Sequence, residues 1–177
     1  MTDEVNVLIV DDEPRICEFL EILLQREGYK AVSAGAFHGV ALRVDGSITA
    51  WGDNTWRQCN VPAGVGYKAV SAGGFHNVAI RSTGALAAWG DSTERKLAVP
   101  TGTNYKAIAA GSYHSIALRT DGTLAAWGNN AFGQCDVPAG NDFTSISAGY
   151  GDCIFGRSDG SFSAIGYMYH GQCNAPS

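Results

Sequence analysis

The sequence predicts an all-β protein, and three observations predict it: a unit repeated every 38 residues, strand-length apolar runs inside each unit, and a turn dipeptide joining two of those runs. Four segments align, GYKAVSAGAFHGVALRVDGSITAWGDN from Gly28, GYKAVSAGGFHNVAIRSTGALAAWGDS from Gly66, NYKAIAAGSYHSIALRTDGTLAAWGNN from Asn104 and DFTSISAGYGDCIFGRSDGSFSAIGYM from Asp142. A fixed period of this size marks units that stack or radiate about an axis. The expected architecture is propeller-like, with blades of three to four short antiparallel strands over 28–65, 66–103, 104–141 and 142–177.

Ahead of the repeats, residues 1–27 read as one strand and one helix. VNVLIV is rich in β-formers, Asp11 or Asp12 can cap the helix that follows, and Pro14 suits its first turn. Ile16, Phe19, Leu20 and Leu23 then fall on one helical stripe, and Gly28 ends the helix.

Within a unit, YKAVSAG alternates, and HGVALR and SITAW are two further strand-length runs. Asp45–Gly46 and Asp121–Gly122 are tight-turn signals, and Thr83–Gly84 keeps the glycine. Three such strands cannot bury both faces of their own sheet, so the sheets must pack face to face. The small residues Ala34, Ala72, Ala110 and Ala148, each followed by Gly, permit close approach near an axis.

Trp51, Trp89 and Trp127 recur at the end of the third strand and are expected to wedge between sheets. His38, His76 and His114 also recur, with Asp152 in the fourth unit. Buried imidazoles bonded to neighbouring backbone groups explain them better than a metal site, which needs convergent ligands. Arg43, Arg81, Arg119 and Arg157 are expected to bond loop carbonyls or a turn carboxylate. Cys59, Cys135 and Cys173 occupy equivalent, buried apolar positions, and no CxxC pair exists among the five cysteines, so reduced thiols are expected.

The run AG-x-x-H-x-x-AL-R-x-DG-x-L-x-AWG-x-N-x-x-GQ-C-x-VP-x-G, clearest over Ala110–Gly140, resembles the repeat of the regulator of chromosome condensation family. The short unit is similar to that family's compact bacterial versions, among them a proteinaceous β-lactamase inhibitor. The resemblance implies propeller blades and a ring that presents protein-binding surfaces. Four units are fewer than that family usually closes with. Either four small blades close alone or two chains combine; the favoured expectation is a homodimer completing an eight-blade ring, and the drifted fourth unit, with Ile165 at the Trp position and Phe155–Gly156 in place of Ala-Leu, fits an end or interface blade.

LIVDDEPRICEFLEILLQREGY separately resembles the first strand and helix of response-regulator receiver domains. There the acidic pair matching Asp11 and Asp12 helps hold Mg²⁺ beside a phosphorylated aspartate, and two carboxylates at a strand end do suit a hard cation. Asp53 stands near the distance of a phospho-acceptor, yet it belongs to AWGDN, whose place is Asp91 and then Asn129 in later units. The resemblance covers about 30 residues of a domain that needs about 120.

Function is expected where the units differ. The loops after the third strand read DNTWRQ, DSTERK, NNAFGQ and YMYHGQ, and Trp56, Arg57, Arg95, Phe132, Tyr167, Met168 and Tyr169 give them the composition of protein-contact hot spots. The leading expectation is a non-catalytic protein-binding or self-assembling module that needs no cofactor. The alternative is a two-component signalling protein using Mg²⁺. No nucleophile elbow, phosphate loop or zinc-protease helix marks an enzyme.

Composition narrows the rest. Apolar residues make up 45% and charged residues 16% of 177, as expected of a folded, soluble chain. Residues 1–27 carry eight acids against two bases and residues 28–177 nine against ten, within a net charge of −5. No concentrated basic field exists, so no nucleic-acid partner is expected. Short apolar runs predict no membrane span, and the acidic start MTDEVN predicts a cytoplasmic location.

Overall fold

The computed structural model describes residues 28–169, 171 and 173. The strand and helix expected over 1–27, including Asp11 and Asp12, lie outside the described residues. Among the described residues twelve strands follow in sequence, three per unit. The first blade is β1 (Tyr29–Ala34), β2 (His38–Arg43) and β3 (Ile48–Gly52), and the second is β4 (Tyr67–Ala72), β5 (His76–Arg81) and β6 (Leu86–Gly90). The third is β7 (Tyr105–Ala110), β8 (His114–Arg119) and β9 (Leu124–Gly128), and the fourth is β10 (Phe143–Ala148), β11 (Asp152–Arg157) and β12 (Phe162–Gly166). Each blade is a three-stranded antiparallel meander with strands in chain order.

The register explains the sequence pattern. The middle strands of the first three blades are buried, which is why HGVALR, HNVAIR and HSIALR carry almost no charge before the final Arg. Each first strand shifts register once, as between Tyr29 and Ala31, and the skipped Lys30 is left exposed. The turn glycines Gly46, Gly84, Gly122 and Gly160 have φ between 80° and 86°, the left-handed region in which a side chain is strained.

Blades pack front to back along the chain. The front of the first, Val40, Leu42 and Ile48, meets Tyr67, Ala79, Ala87 and Trp89 on the back of the second. Val78, Ile80 and Leu86 meet Tyr105, Ala117, Ala125 and Trp127 in the same way. Ile116, Leu118 and Leu124 meet Phe143, Cys153 and Phe155. Each core therefore belongs to a junction and not to a blade.

The expected axis is present. Ala34, Ala72, Ala110 and Ala148 with their following glycines line a central channel of about 240 Å³. Close approach is required there: a Cβ on Gly73 would overlap the carbonyl oxygen of Gly111 and the ring of His76. Backbone bonds cross the junctions at this level, Ala36 N–H to Gly74 O at 3.3 Å and Ser112 N–H to Gly149 O at 3.1 Å.

The tryptophan expectation needs one correction. Trp89 and Trp127 are 5% and 7% exposed, but Trp51 is 53% exposed, because its ring lies on the back of the first blade, where no preceding blade covers it. Trp89 Nε1 donates to Gln58 O at 3.0 Å and Trp127 Nε1 to Lys96 O at 2.9 Å, each reaching into the preceding unit. The front of the fourth blade is open in the same sense, with Ile154 and Phe162 exposed.

Candidate interaction face

Strands one and three of every blade run in the same direction, so the AG-x-x-H connection and the loop after the third strand emerge at one end of the molecule. Histidine supports this end from below. His38 Nε2 meets Asn77 Oδ1 at 2.8 Å, His76 Nε2 meets Ser115 Oγ at 2.8 Å and His114 Nε2 meets Cys153 Sγ at 3.0 Å. Each ring thus bonds a side chain in the next blade, not the backbone groups expected from sequence, and each Nδ1 lacks a protein partner. Among the described residues no group of three or more His, Cys, Asp or Glu could hold a metal ion.

The arginines also depart from expectation. Arg43, Arg81, Arg119 and Arg157 lie over the rings of Tyr29, Tyr67, Tyr105 and Phe143 at 4.3 to 5.1 Å, on the first residue of the same blade. Arg157 adds the expected carboxylate, Asp142, at 2.7 Å, and Arg119 the expected carbonyl, Leu124 O, at 3.1 Å.

The loops after the third strand of the first and third blades share one plan. Asp53 Oδ1 accepts from the Thr55 hydroxyl at 2.6 Å and Oδ2 from Gln58 Nε2 at 2.7 Å; Asn129 Oδ1 accepts from Gln134 Nε2 at 2.9 Å. Asp53 is therefore a turn former whose role an amide fills equally well, and it is not placed as a phospho-acceptor. Cys59 and Cys135 are only half-buried, and their thiols point at the carbonyls of Asp53 and Asn129 at 3.3 and 3.2 Å. Burial pushes the Cys135 thiol up to about 11 and the Cys153 thiol up to about 12, so both are held as neutral packing groups.

The second blade alters this plan at one place. Lys96 replaces the glutamine, is 2% exposed, and pairs with Asp91 at 2.6 Å while donating to Thr93 Oγ1 at 2.9 Å. Burial opposes ionisation of Asp91, but the bonds from Lys96 and Thr93 outweigh it and hold its carboxyl below the ordinary value. Burial first, and the Lys96 charge second, push His76 down to about 4. The unfolded chain protonates this imidazole near 6.5 and so binds the extra proton between about pH 6.5 and 4, where the fold does not. Stability present above pH 6.5 is therefore expected to fall by about 2 kcal/mol between pH 7 and pH 5 from this group. Urea midpoints at the two pH values, with a smaller difference in a His76→Gln variant, check this.

The structure distributes the candidate contact residues over three junctions. Trp56 and Arg57 line a groove of about 550 Å³ with Trp89 between the first and second blades. Arg95 lines another with Trp127 between the second and third. Arg57 and Arg95 have φ of 64° and 61° where the third unit has Gly133, so both side chains sit on strained backbone. Phe132 and Tyr167 meet edge-on at 4.8 Å between the third and fourth blades, Tyr169 stacks on Tyr167 at 6.2 Å, and Met168 is exposed beside them.

Sequence reasoning missed a second aromatic row. Phe37 and Phe75 lie 5.9 Å apart, and Tyr113 meets Tyr150 edge-on at 5.4 Å. The signal was available: Phe37, Phe75 and Tyr113 precede the repeated histidine in three units.

Four nearest-neighbour sheets about a shared channel, with sequence variety confined to one loop end, define a propeller-type repeat module. Residues 29–55, 67–95 and 105–134 match the Regulator of chromosome condensation (RCC1) repeat. No curated protein matches the chain in sequence. Among solved structures it is similar to Prp20p from Saccharomyces cerevisiae, with 19% identity, a TM-score of 0.70 and coverage of 85% of this chain and 47% of that one. That structure is described with its binding properties to Gsp1p and histones. The CRINKLY WD40 ectodomain of the Arabidopsis thaliana receptor kinase ACR4 matches at 24% identity and a TM-score of 0.65, over 78% of this chain and 49% of that one. The chain thus spans about half the length of these propellers. The computationally designed Ika4 protein, at 17% identity and a TM-score of 0.51, is covered over 99% of its length by 94% of this chain. These likenesses bear on fold and repeat type, and do not separate out the compact bacterial versions.

Proposed function

We propose that the chain is a non-catalytic protein-binding module whose binding surface is the loop end of the blades. One observation carries the reading: the side chains of Trp56, Phe132, Met168 and Tyr169 are exposed at that end, and in the first and third loops the side-chain bonds of the turn run from Gln58 to Asp53 and from Gln134 to Asn129. Exposed aromatic residues gathered beyond what packing requires are the usual anchors of protein contacts. The protein ligands named for Prp20p support the same reading.

A second observation favours self-assembly as part of that function. The back of the first blade (Tyr29, Ala41, Trp51) and the front of the fourth (Ile154, Phe162) are the two face types that pack together at all three internal junctions. A second copy offers each open face its counterpart, and two copies related by a twofold axis complete one ring.

Light scattering separates the two parts. The wild-type chain is expected at twice its 18.6 kDa mass and a Trp51→Arg variant at the single mass. A Trp56→Ala, Phe132→Ala variant is expected to keep the double mass and to lose the protein ligands that wild type captures. A single mass for wild type removes the ring, and undiminished capture by the loop variant removes the loop end as the binding surface.

A further inference from the structure

We infer that the groove where the second, third and fourth blades meet at the loop end is a seat for an arginine side chain of a protein partner. This rests on the protein-binding reading above and names the chemistry of its ligand. The groove holds about 210 Å³, and Glu94, Tyr113, Asn129, Phe132 and Tyr150 supply its polar and aromatic walls.

Its charge is not balanced from within. The Lys96 ammonium lies beside it, 5.5 Å from the centroid of the Tyr113 ring, and is committed to Asp91 at 2.6 Å and to Thr93 Oγ1 at 2.9 Å. Glu94 stands 3.8 Å from Lys96 and otherwise accepts one bond from Asn129 Nδ2 at 3.0 Å, which leaves lone pairs on both carboxylate oxygens. Asp91 and Lys96 cancel, so Glu94 contributes an uncompensated negative charge to a site lined with ring faces and phenol oxygens.

Aromatic geometry adds to the field. Tyr113 and Tyr150 are perpendicular at 5.4 Å, and Phe132 is braced from behind by Tyr167 at 4.8 Å. The Tyr113 ring already receives the Lys96 ammonium, so Tyr150 and Phe132 are the ring walls from which an entering cation gains, together with the Glu94 carboxylate. Glu94 is also placed against its backbone preference, at φ 55° and ψ 27°, whereas neither Trp56 nor Phe132 at the matching positions has positive φ. The second unit thus aims its one glutamate at a groove built from the two units that follow.

Guanidinium fits this arrangement better than ammonium does. It is flat, weakly hydrated and stacks on aromatic faces while its fork addresses a carboxylate, and the groove is open enough to admit a planar group from the side. An ammonium stays more strongly hydrated and gains less in a groove that does not enclose it.

N-acetyl-arginine amide titrated into the full chain, followed by NMR of the aromatic side chains, tests the seat. Saturable shifts at Tyr113, Tyr150 and Phe132 are expected. The citrulline analogue, equal in shape and uncharged, is expected to bind at least about tenfold more weakly, and Glu94→Gln and Tyr150→Ala each to weaken the arginine probe about tenfold. Both residues are at the surface, and unchanged circular dichroism confirms that the variants fold. Equal binding of citrulline, indifference to both substitutions, or no saturable shift overturns the proposal. A chain that still captures a protein through Trp56 and Phe132 but takes no arginine sinks this seat alone and leaves the wider binding reading standing.

Discussion

Trp127→Ala is expected to destabilise the protein by about 3–5 kcal/mol, the cost of emptying a buried aromatic site. The ring is 7% exposed, packs on Val78, Ile80 and Leu86 of the preceding blade, and donates to Lys96 O. Its loss leaves a void at the junction and an unpaired carbonyl beneath the loop. For a domain of this size the melting temperature should drop by about 10 °C or more. Trp51→Ala, in the same AWG triplet, is expected to cost less than about 1 kcal/mol in dilute monomer, because that ring is already more than half in water. Thermal melts of the two variants at low protein concentration check the contrast, and equal losses would contradict the packing order of the blades.

The second large effect concerns the ion pair under the loop end. Asp91→Ala should cost about 3 kcal/mol, since it strands the buried Lys96 ammonium with a hydroxyl, a distant carboxylate and the Tyr113 ring. Lys96→Gln should be nearly neutral: it restores the Gln-to-Asp bond that Gln58 makes with Asp53 in the first unit, and it removes a buried charge. The same change withdraws a cation that holds His76 down, so the pH dependence of stability should soften. Urea unfolding of the two variants at pH 7 measures the first contrast. A Lys96→Gln loss as large as that of Asp91→Ala would show that the pair, and not the avoidance of an unpaired charge, stabilises this loop.

How much was legible in the sequence differs between levels. The blades, their three strands and the turn glycines follow from the period and the alternation, because strand pairing here is local and each unit states it again. The axis was readable from Ala34 and its equivalents for the same reason. What the repeat cannot state is which neighbour is missing, so Trp51 reads like Trp89 although only one of them is covered. The histidine partners were hidden by distance along the chain: Asn77, Ser115 and Cys153 are unlike residues at one position, and only the junction shows that each meets an imidazole. The candidate contact residues were visible as composition, but their grouping was not. Arg57 and Arg95 fall in separate grooves, and Glu94, an unremarked acid in DSTERK, lies beside Tyr113 and Tyr150 only after three units have packed.

The bonds that tie one blade to the next have a consequence for how such chains lengthen. His38 reaches Asn77, His76 reaches Ser115 and His114 reaches Cys153, each 39 positions onward, and the indole nitrogens of Trp89 and Trp127 reach back 31 positions each time. Excising or duplicating one whole period leaves every remaining donor with an acceptor at the same offset. Growth by complete periods is thus structurally silent, whereas an insertion of any other length changes the offset of each pair that spans it.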